Sequence, residues 1–257
     1  MAEKLHPLAV WGLVKEARTA LADDRPLLIT GALAEPLAKE LGRGGSTGAI
    51  ATFGSVDRAA ALVRVLAGQP TEEDDQALRA AKRAGVPVIA VQTGVEQFDV
   101  PYVLATDVVS CPPGTGFPVE KIARVLAARL GQRGTPLAAR LPVFRDPVCD
   151  ALIESFSRKN GLLGAAIFIP GADFPVLTLN QIRLVLRLAT AHGEEVDQER
   201  LPEILGTVAA GFSFRLVARQ LLAAVPVAGW ALKGAVAYGG TRAIGEAARH
   251  YFAATAT

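Results

Sequence analysis

Histidine, methionine, cysteine and aromatic side chains are scarce in this chain of 257 residues, and each scarcity removes a class of chemistry: there are 3 His, 1 Met, 2 Cys and 6% aromatics. His6, His192 and His250 stand alone, without HExxH, HxH or Cys/His spacing, so a zinc site is not expected. Cys111 and Cys149 lie far apart without a CxxC pair and read as two reduced, buried thiols rather than a disulfide or metal ligands. A reducing cytoplasm fits them. Neither cysteine sits beside an evident base and no GxSxG elbow occurs, which leaves nucleophilic catalysis without a candidate. Charge of one sign is also lacking: 27 Lys and Arg face 25 Asp and Glu, for a net charge of +2. A domain that tracks nucleic acid shows a concentrated basic face, so no nucleic-acid partner is expected.

Long apolar runs are missing too. Gln220 to Leu232 lies uncharged between Arg219 and Lys233, shorter than the ~20 residues a spanning helix needs. The start, Met1-Ala2-Glu3-Lys4-Leu5-His6-Pro7, lacks the basic segment, apolar run and cleavage site of a secretory signal. Cytoplasmic location is the expectation, with peripheral docking on the inner face of the membrane as the alternative.

What is present is apolar mass rich in small residues: 51% of the chain is hydrophobic and 25 residues are Gly, with a mean hydropathy of +0.31. Leu8 to Leu21 has helical spacing and predicts an N-terminal brace helix within residues 1–25. Short apolar runs follow at Leu27 to Thr30, Ala49 to Phe53, Ala60 to Leu66, Val86 to Gln92 and Tyr102 to Val109. Continuous runs of this length read as parallel strands covered on both faces. Thr71-Glu72-Glu73-Asp74-Asp75 opens a helix that closes at Lys82-Arg83-Ala84-Gly85, with acids and bases placed to complement its dipole. A helix from Pro118 to Leu130 completes an α/β domain over residues 26–131, and residues 132–145 read as a linker. Beyond it, over residues 146–257, helices are expected at Pro147 to Ile167, Pro175 to His192, Asp197 to Ala224 and Val227 to Phe252. Their Gly and Ala content permits close backbone approach. The fold class is thus α/β plus all-α.

Two resemblances sharpen this reading. Ala59 to Leu130 resembles the second half of a Ras-like GTPase domain of the Era type, in its order of strand, acid-capped helix, strand, strand and helix. That likeness implies a doubly wound P-loop-type sheet, but not its chemistry. The loop G-x-x-x-x-G-K-[ST] cradles phosphates through its amides, neutralises them with lysine and holds magnesium through the hydroxyl. Here the loop opens at Gly31, while Pro36, Leu37 and Ala38 occupy the glycine, lysine and hydroxyl positions. Glu35 sets a carboxylate where phosphate would lie. Asp57, in Gly54-Ser55-Val56-Asp57, is a weak substitute for the magnesium aspartate. Gln92-Thr93-Gly94-Val95 replaces the base-reading N-K-x-D. No cofactor and no metal are therefore expected.

The C-terminal half resembles the YcjF-like family, a helical family (domain of unknown function 697) found fused to or encoded beside bacterial GTPases and often associated with membranes. The matching stretches are Ile169-Pro170-Gly171, Leu179-Asn180-Gln181-Ile182 with the helix to His192-Gly193, and Pro226 to Phe252 with its Gly-Gly-Thr. The expected function is that of a non-catalytic GTPase-like protein. Its helical domain would mediate self-association, binding of a GTPase partner, or docking on an anionic membrane surface.

Two groups of residues are candidates for sites. Gly44, Gly45, Ser46 and Thr47, inside Gly42 to Gly48, form a weak candidate phosphate loop, since successive glycines let amides point inward. They carry the alternative reading of an atypical nucleotide-binding GTPase or NTPase. Arg183 with Arg187, and Arg215 with Arg219, stand one helical turn apart. With Lys233 they are the candidate surface-docking residues, placed to snorkel toward anionic lipid.

Overall fold

The computed structural model describes residues 7–166, 174–196, 206 and 229–255. By internal packing the chain forms two units, one of Asp23–Val148 and one that joins Met1–Ala22 to Cys149–Thr257.

The first unit is an α/β layer structure. Five strands, β1 (Leu27–Gly31), β2 (Ile50–Ala51), β3 (Ala61–Leu66), β4 (Val88–Gln92) and β5 (Val108–Ser110), form one sheet in the order β2-β1-β3-β4-β5. Every neighbouring pair is parallel, a doubly wound order whose direction of growth reverses between β1 and β3. All six residues of β3 and all five of β4 are buried, which is why these strands read as unbroken apolar runs. Leu28, Leu62, Leu66 and Ala90 pack against Leu78 and Ala81 of helix α3 (Glu72–Ala84, counted after α1 and α2 below).

The start of α3 carries out what its sequence promises and adds a connection. Thr71 caps it, with the Asp74 side chain returning to the Thr71 amide at 2.8 Å. The same carboxylate takes the Arg64 Nε at 2.6 Å. Arg64 lies on central strand β3 and is 5% exposed, so one buried ion pair ties the middle of the sheet to the cap of its covering helix. Burial works against ionisation of Asp74, but the Thr71 amide and hydroxyl and the Arg64 guanidinium outweigh it and hold the carboxyl below its ordinary range.

Helix α2 (Ala34–Leu41) follows β1 directly and was not among the expected helices. Pro36 disguises it: proline in a first turn removes only an amide that has no intrahelical partner. Strand β5 begins at Val108 rather than near Tyr102, because the chain from Thr93 to Asp107 crosses over without an α-helix and ends in a single turn at Ala105–Asp107. Helix α4 (Val119–Leu130) matches expectation.

The stretch expected as a linker, 132–145, is folded. A turn at Gly131–Gly134, helix α5 (Thr135–Arg140) and a turn at Pro142–Phe144 fill it, and Thr135, Leu137, Ala138 and Phe144 are fully buried. The Arg140 guanidinium donates to the carbonyls of Asp24 and Arg25 at 2.8 and 2.6 Å. Turn-forming Gly and Pro suggested a connector, but the apolar residues between them pack as core.

The second unit is helical: α1 (Pro7–Leu21), α6 (Arg145–Ala166), α7 (Phe174–Ala191) and α8 (Gly229–Thr255). The expected brace helix α1 belongs to this unit, with Leu13, Val14 and Ala17 buried. Helices α6 and α8 meet where glycine faces glycine. A Cβ on Gly164 would stand 2.8 Å from the Cβ of Ala237, and one on Gly234 would stand 3.0 Å from the Gly161 carbonyl oxygen. Around this crossing a polar network joins three helices: Asn160 Nδ2 donates to Thr241 Oγ1 and Asn180 Nδ2 to Asn160 Oδ1, each at 2.9 Å. All three residues are buried; mutual satisfaction is what makes buried amides tolerable. Gly164→Leu is expected to cost about 1–3 kcal/mol by overpacking, read as a lowered urea midpoint; an unchanged midpoint would show that the helices separate freely. The helix expected at Asp197 to Ala224 lies, apart from Gly206, outside the described residues.

Candidate functional site

In a doubly wound sheet, ligands bind beyond the carboxyl ends of the strands, where the order reverses. Here that crevice lies beyond β1 and β3, and it is closed by its own chain. Gly31 has φ 97° and sits so near β3 that a Cβ would come 2.2 Å from the Val65 carbonyl oxygen. The next amide, Ala32 N–H, donates to that same oxygen at 3.0 Å. Leu33 then takes a left-handed turn with φ 57° and starts α2 without a side-chain cap. Leu37, which the GTPase resemblance sets at the lysine position, is fully buried. Glu35, in the first turn, accepts a hydrogen bond from Thr52 Oγ1 at 2.6 Å, placing a carboxylate at the end of the helix where an anion would otherwise be drawn.

The flanking positions are equally engaged. Asp57 accepts a short hydrogen bond from the Ser55 hydroxyl, which together with a backbone hydrogen bond keeps its carboxyl below the ordinary range. Among the described residues no group of three His, Cys, Asp or Glu is arranged to hold a metal ion. Gln92, which the GTPase resemblance sets at the start of the base-reading motif, is 2% exposed and spends both ends of its amide on Phe98: Nε2 donates to the carbonyl at 2.6 Å and Oε1 accepts from the amide at 3.3 Å. The Thr93 amide donates to the Leu66 carbonyl at 2.9 Å.

The candidate phosphate loop does not form a nest. The Gly45 amide donates to the Gly42 carbonyl and the Ser46 amide to the Arg140 carbonyl at 2.8 Å, so two of the four amides face backbone rather than a ligand. Gly45 is needed for packing, since a Cβ there would stand 2.7 Å from Leu141 Cδ2. Gly44 has φ 68°, and Thr47 lies in the turn that leads to β2. The similar loop Pro112 to Gly116 is a local turn closed by Thr115 Oγ1 on the Pro112 carbonyl at 2.7 Å.

The candidate docking arginines are also differently placed from a free basic face. Arg183 and Arg187 both reach Glu16 of α1, at 3.2 and 2.5 Å, and the Arg187 side chain is only 12% exposed. The helical spacing put them on one side, but that side carries a carboxylate from a distant helix. Arg215 and Arg219 lie outside the described residues. Lys233 is half-buried in the first turns of α8, its carbonyl at the close crossing with Gly164.

His192 is buried and caps the end of α7, with Nδ1 2.9 Å from the Leu188 carbonyl. His250 is exposed and His6 lies outside the described residues. Both cysteines are buried thiols outside any disulfide, and burial pushes Cys111 up from its ordinary value.

The sequence did not point to the cavity of about 460 Å³ at the carboxyl ends of β4 and β5, lined by Gln97, Asp99, Val103, Ser110 and Lys121 among others. The signal available for it was a connection between parallel strands that lacks helical periodicity. No family model, curated protein or solved structure matches the chain. Among the described residues, no helix is long and apolar enough to cross a membrane.

Proposed function

We propose that this chain is a GTPase-like α/β module that neither binds nor hydrolyses nucleotide, and that its helical unit works by association with a second copy or with a GTPase partner. The observation that carries this reading is the closed crevice at Gly31, Ala32 and Val65. Phosphoryl transfer rests almost wholly on positioning by inward amides, a lysine and magnesium. Here the Ala32 amide is bonded to β3, the lysine position is a core leucine, and a carboxylate guards the helix start. The parallel order β2-β1-β3-β4-β5 is one that the GTPase-like comparison allows. Association is preferred to membrane docking because Arg183 and Arg187 are committed to Glu16.

Thermal unfolding with 1 mM magnesium and GTP tests the first half. A ligand at a hundredfold over its Kd adds about 2.7 kcal/mol, so an unchanged melting curve is the expected result, and a rise of several degrees overturns the reading. Sedimentation velocity over a concentration series tests the second. Species heavier than the 26.9 kDa chain, or a complex with an added bacterial GTPase, are expected. A monomer throughout that instead pellets with anionic liposomes would return the membrane reading.

A further inference from the structure

We propose that the cavity beneath the β4–β5 crossover binds a small zwitterion of amino-acid or dipeptide size, its carboxylate on Lys121, its ammonium on Asp99 and its apolar body on the crossover valines. Adjacent parallel strands need a long crossover, which is normally a helix packed on the sheet. Residues 93–107 make this one without an α-helix, and Val100 and Val103 go into the core beside Leu66, Leu78 and Val108 in place of helix side chains. What a helix would have filled becomes a cavity of about 460 Å³, in the lower part of the range for small-molecule sites.

The crossover is held in shape at both ends. Gln92 fixes Phe98 by two hydrogen bonds. Tyr102 takes the left-handed conformation, φ 65°, which a bulky side chain adopts only where its surroundings enforce it. Its ring lies 5.1 Å from the Lys82 ammonium and 5.8 Å from the Arg79 guanidinium, so α3 supplies the enforcement. A preformed wall lowers the ordering cost of binding.

The lining supplies opposite charges. Lys121 stands in the first turn of α4, where the helix dipole disfavours a cation; its place there does nothing for the helix. Neither Lys121 nor Asp99 is in an ion pair among the described residues, and both are exposed. Gln97, also in the lining, donates to Ser110 Oγ at 2.9 Å, leaving the Gln97 carbonyl to accept and the Ser110 hydroxyl to donate. An ammonium and a carboxylate in the lining of one cavity match a ligand carrying both charges, and the valines match an apolar side chain.

Methyl NMR of the valine-labelled full chain tests this, with L-leucine, L-phenylalanine and leucyl-leucine as probes and N-acetyl-leucine and leucinamide as controls. Saturable shifts of the Val100, Val103 and Val108 methyls are expected with the three zwitterions. Lys121→Gln and Asp99→Asn should each weaken binding by roughly two- to fivefold, the worth of a solvent-exposed ion pair. Both substitutions are at exposed positions, so the remaining methyl spectrum reports an intact fold. No shifts up to about 10 mM probe, a concentration that reveals even millimolar binding, would overturn the proposal. Equal binding of N-acetyl-leucine, or binding indifferent to both substitutions, would overturn it as well.

Discussion

Arg64→Ala is expected to lower the stability of the α/β unit by about 3–5 kcal/mol, because it leaves the Asp74 carboxylate buried without its partner. Asp74 is 7% exposed and its other contacts are the Thr71 amide and hydroxyl. Those keep the helix cap in place but bring no opposite charge. Arg64→Met separates the contributions. It keeps the length of the side chain in the sheet and removes the charge, so a cost close to that of alanine assigns the loss to the ion pair. Arg64→Met with Asp74→Leu should recover part of it, since an apolar pair of similar volume removes the buried charge altogether. Urea denaturation measures all three, and a cost below 1 kcal/mol for the alanine variant would mean that water reaches the pair. Acid should act on the same bond. The folded Asp74 titrates below its ordinary range, so its stabilisation is fully present above the unfolded carboxyl value of about 3.9 and is lost as pH falls through the lower folded value. The wild-type urea midpoint should therefore drop below pH 4 more steeply than that of the Met/Leu double variant.

Restoring the missing lysine is expected to damage the fold instead of rebuilding a nucleotide site. Leu37 is fully buried in α2, and Leu37→Lys forfeits its apolar burial while placing an ammonium in the core; we expect a loss of about 3–5 kcal/mol. Magnesium and GTP should not return the lost stability. The distinguishing readout is the melting temperature of the variant with and without nucleotide. A gain specific to GTP would show that the lysine can swing to the crevice and that this sheet retains a latent phosphate site, against the reading proposed above.

How much of this was legible in the residues differs from element to element. Strands β1, β3 and β4 were visible because a sheet buried on both faces demands unbroken apolar runs, and the cap at Thr71 was visible because its donors and acceptors are neighbours in sequence. Helix α2 was hidden by Pro36, whose effect depends on whether it falls in a first turn or an interior one. The 132–145 stretch misled because glycine and proline mark turns equally well in a connector and in a tightly folded corner. The spacing of Arg183 and Arg187 correctly put them on one side of a helix, yet Glu16, the one carboxylate they share, lies far away along the chain. Gln92 could be recognised as the wrong residue for reading a base, but not as the pin that holds Phe98. The cavity is the least legible feature of all, since it arises from a helix that is not there.

The helical unit takes α1 from one side of the α/β unit in sequence and α6, α7 and α8 from the other. During synthesis the ribosome therefore delivers α1 long before its packing partner. At 5–20 residues per second, Glu16 waits on the order of ten seconds or more for Arg183 and Arg187 to emerge. Through that interval Leu13, Val14 and Ala17, all buried in the finished unit, have no surface to cover them, while the α/β unit already has every strand it needs. The nascent chain thus acquires its sheet first and carries an unsheltered apolar helix ahead of it, which makes α1 the segment most in need of a chaperone.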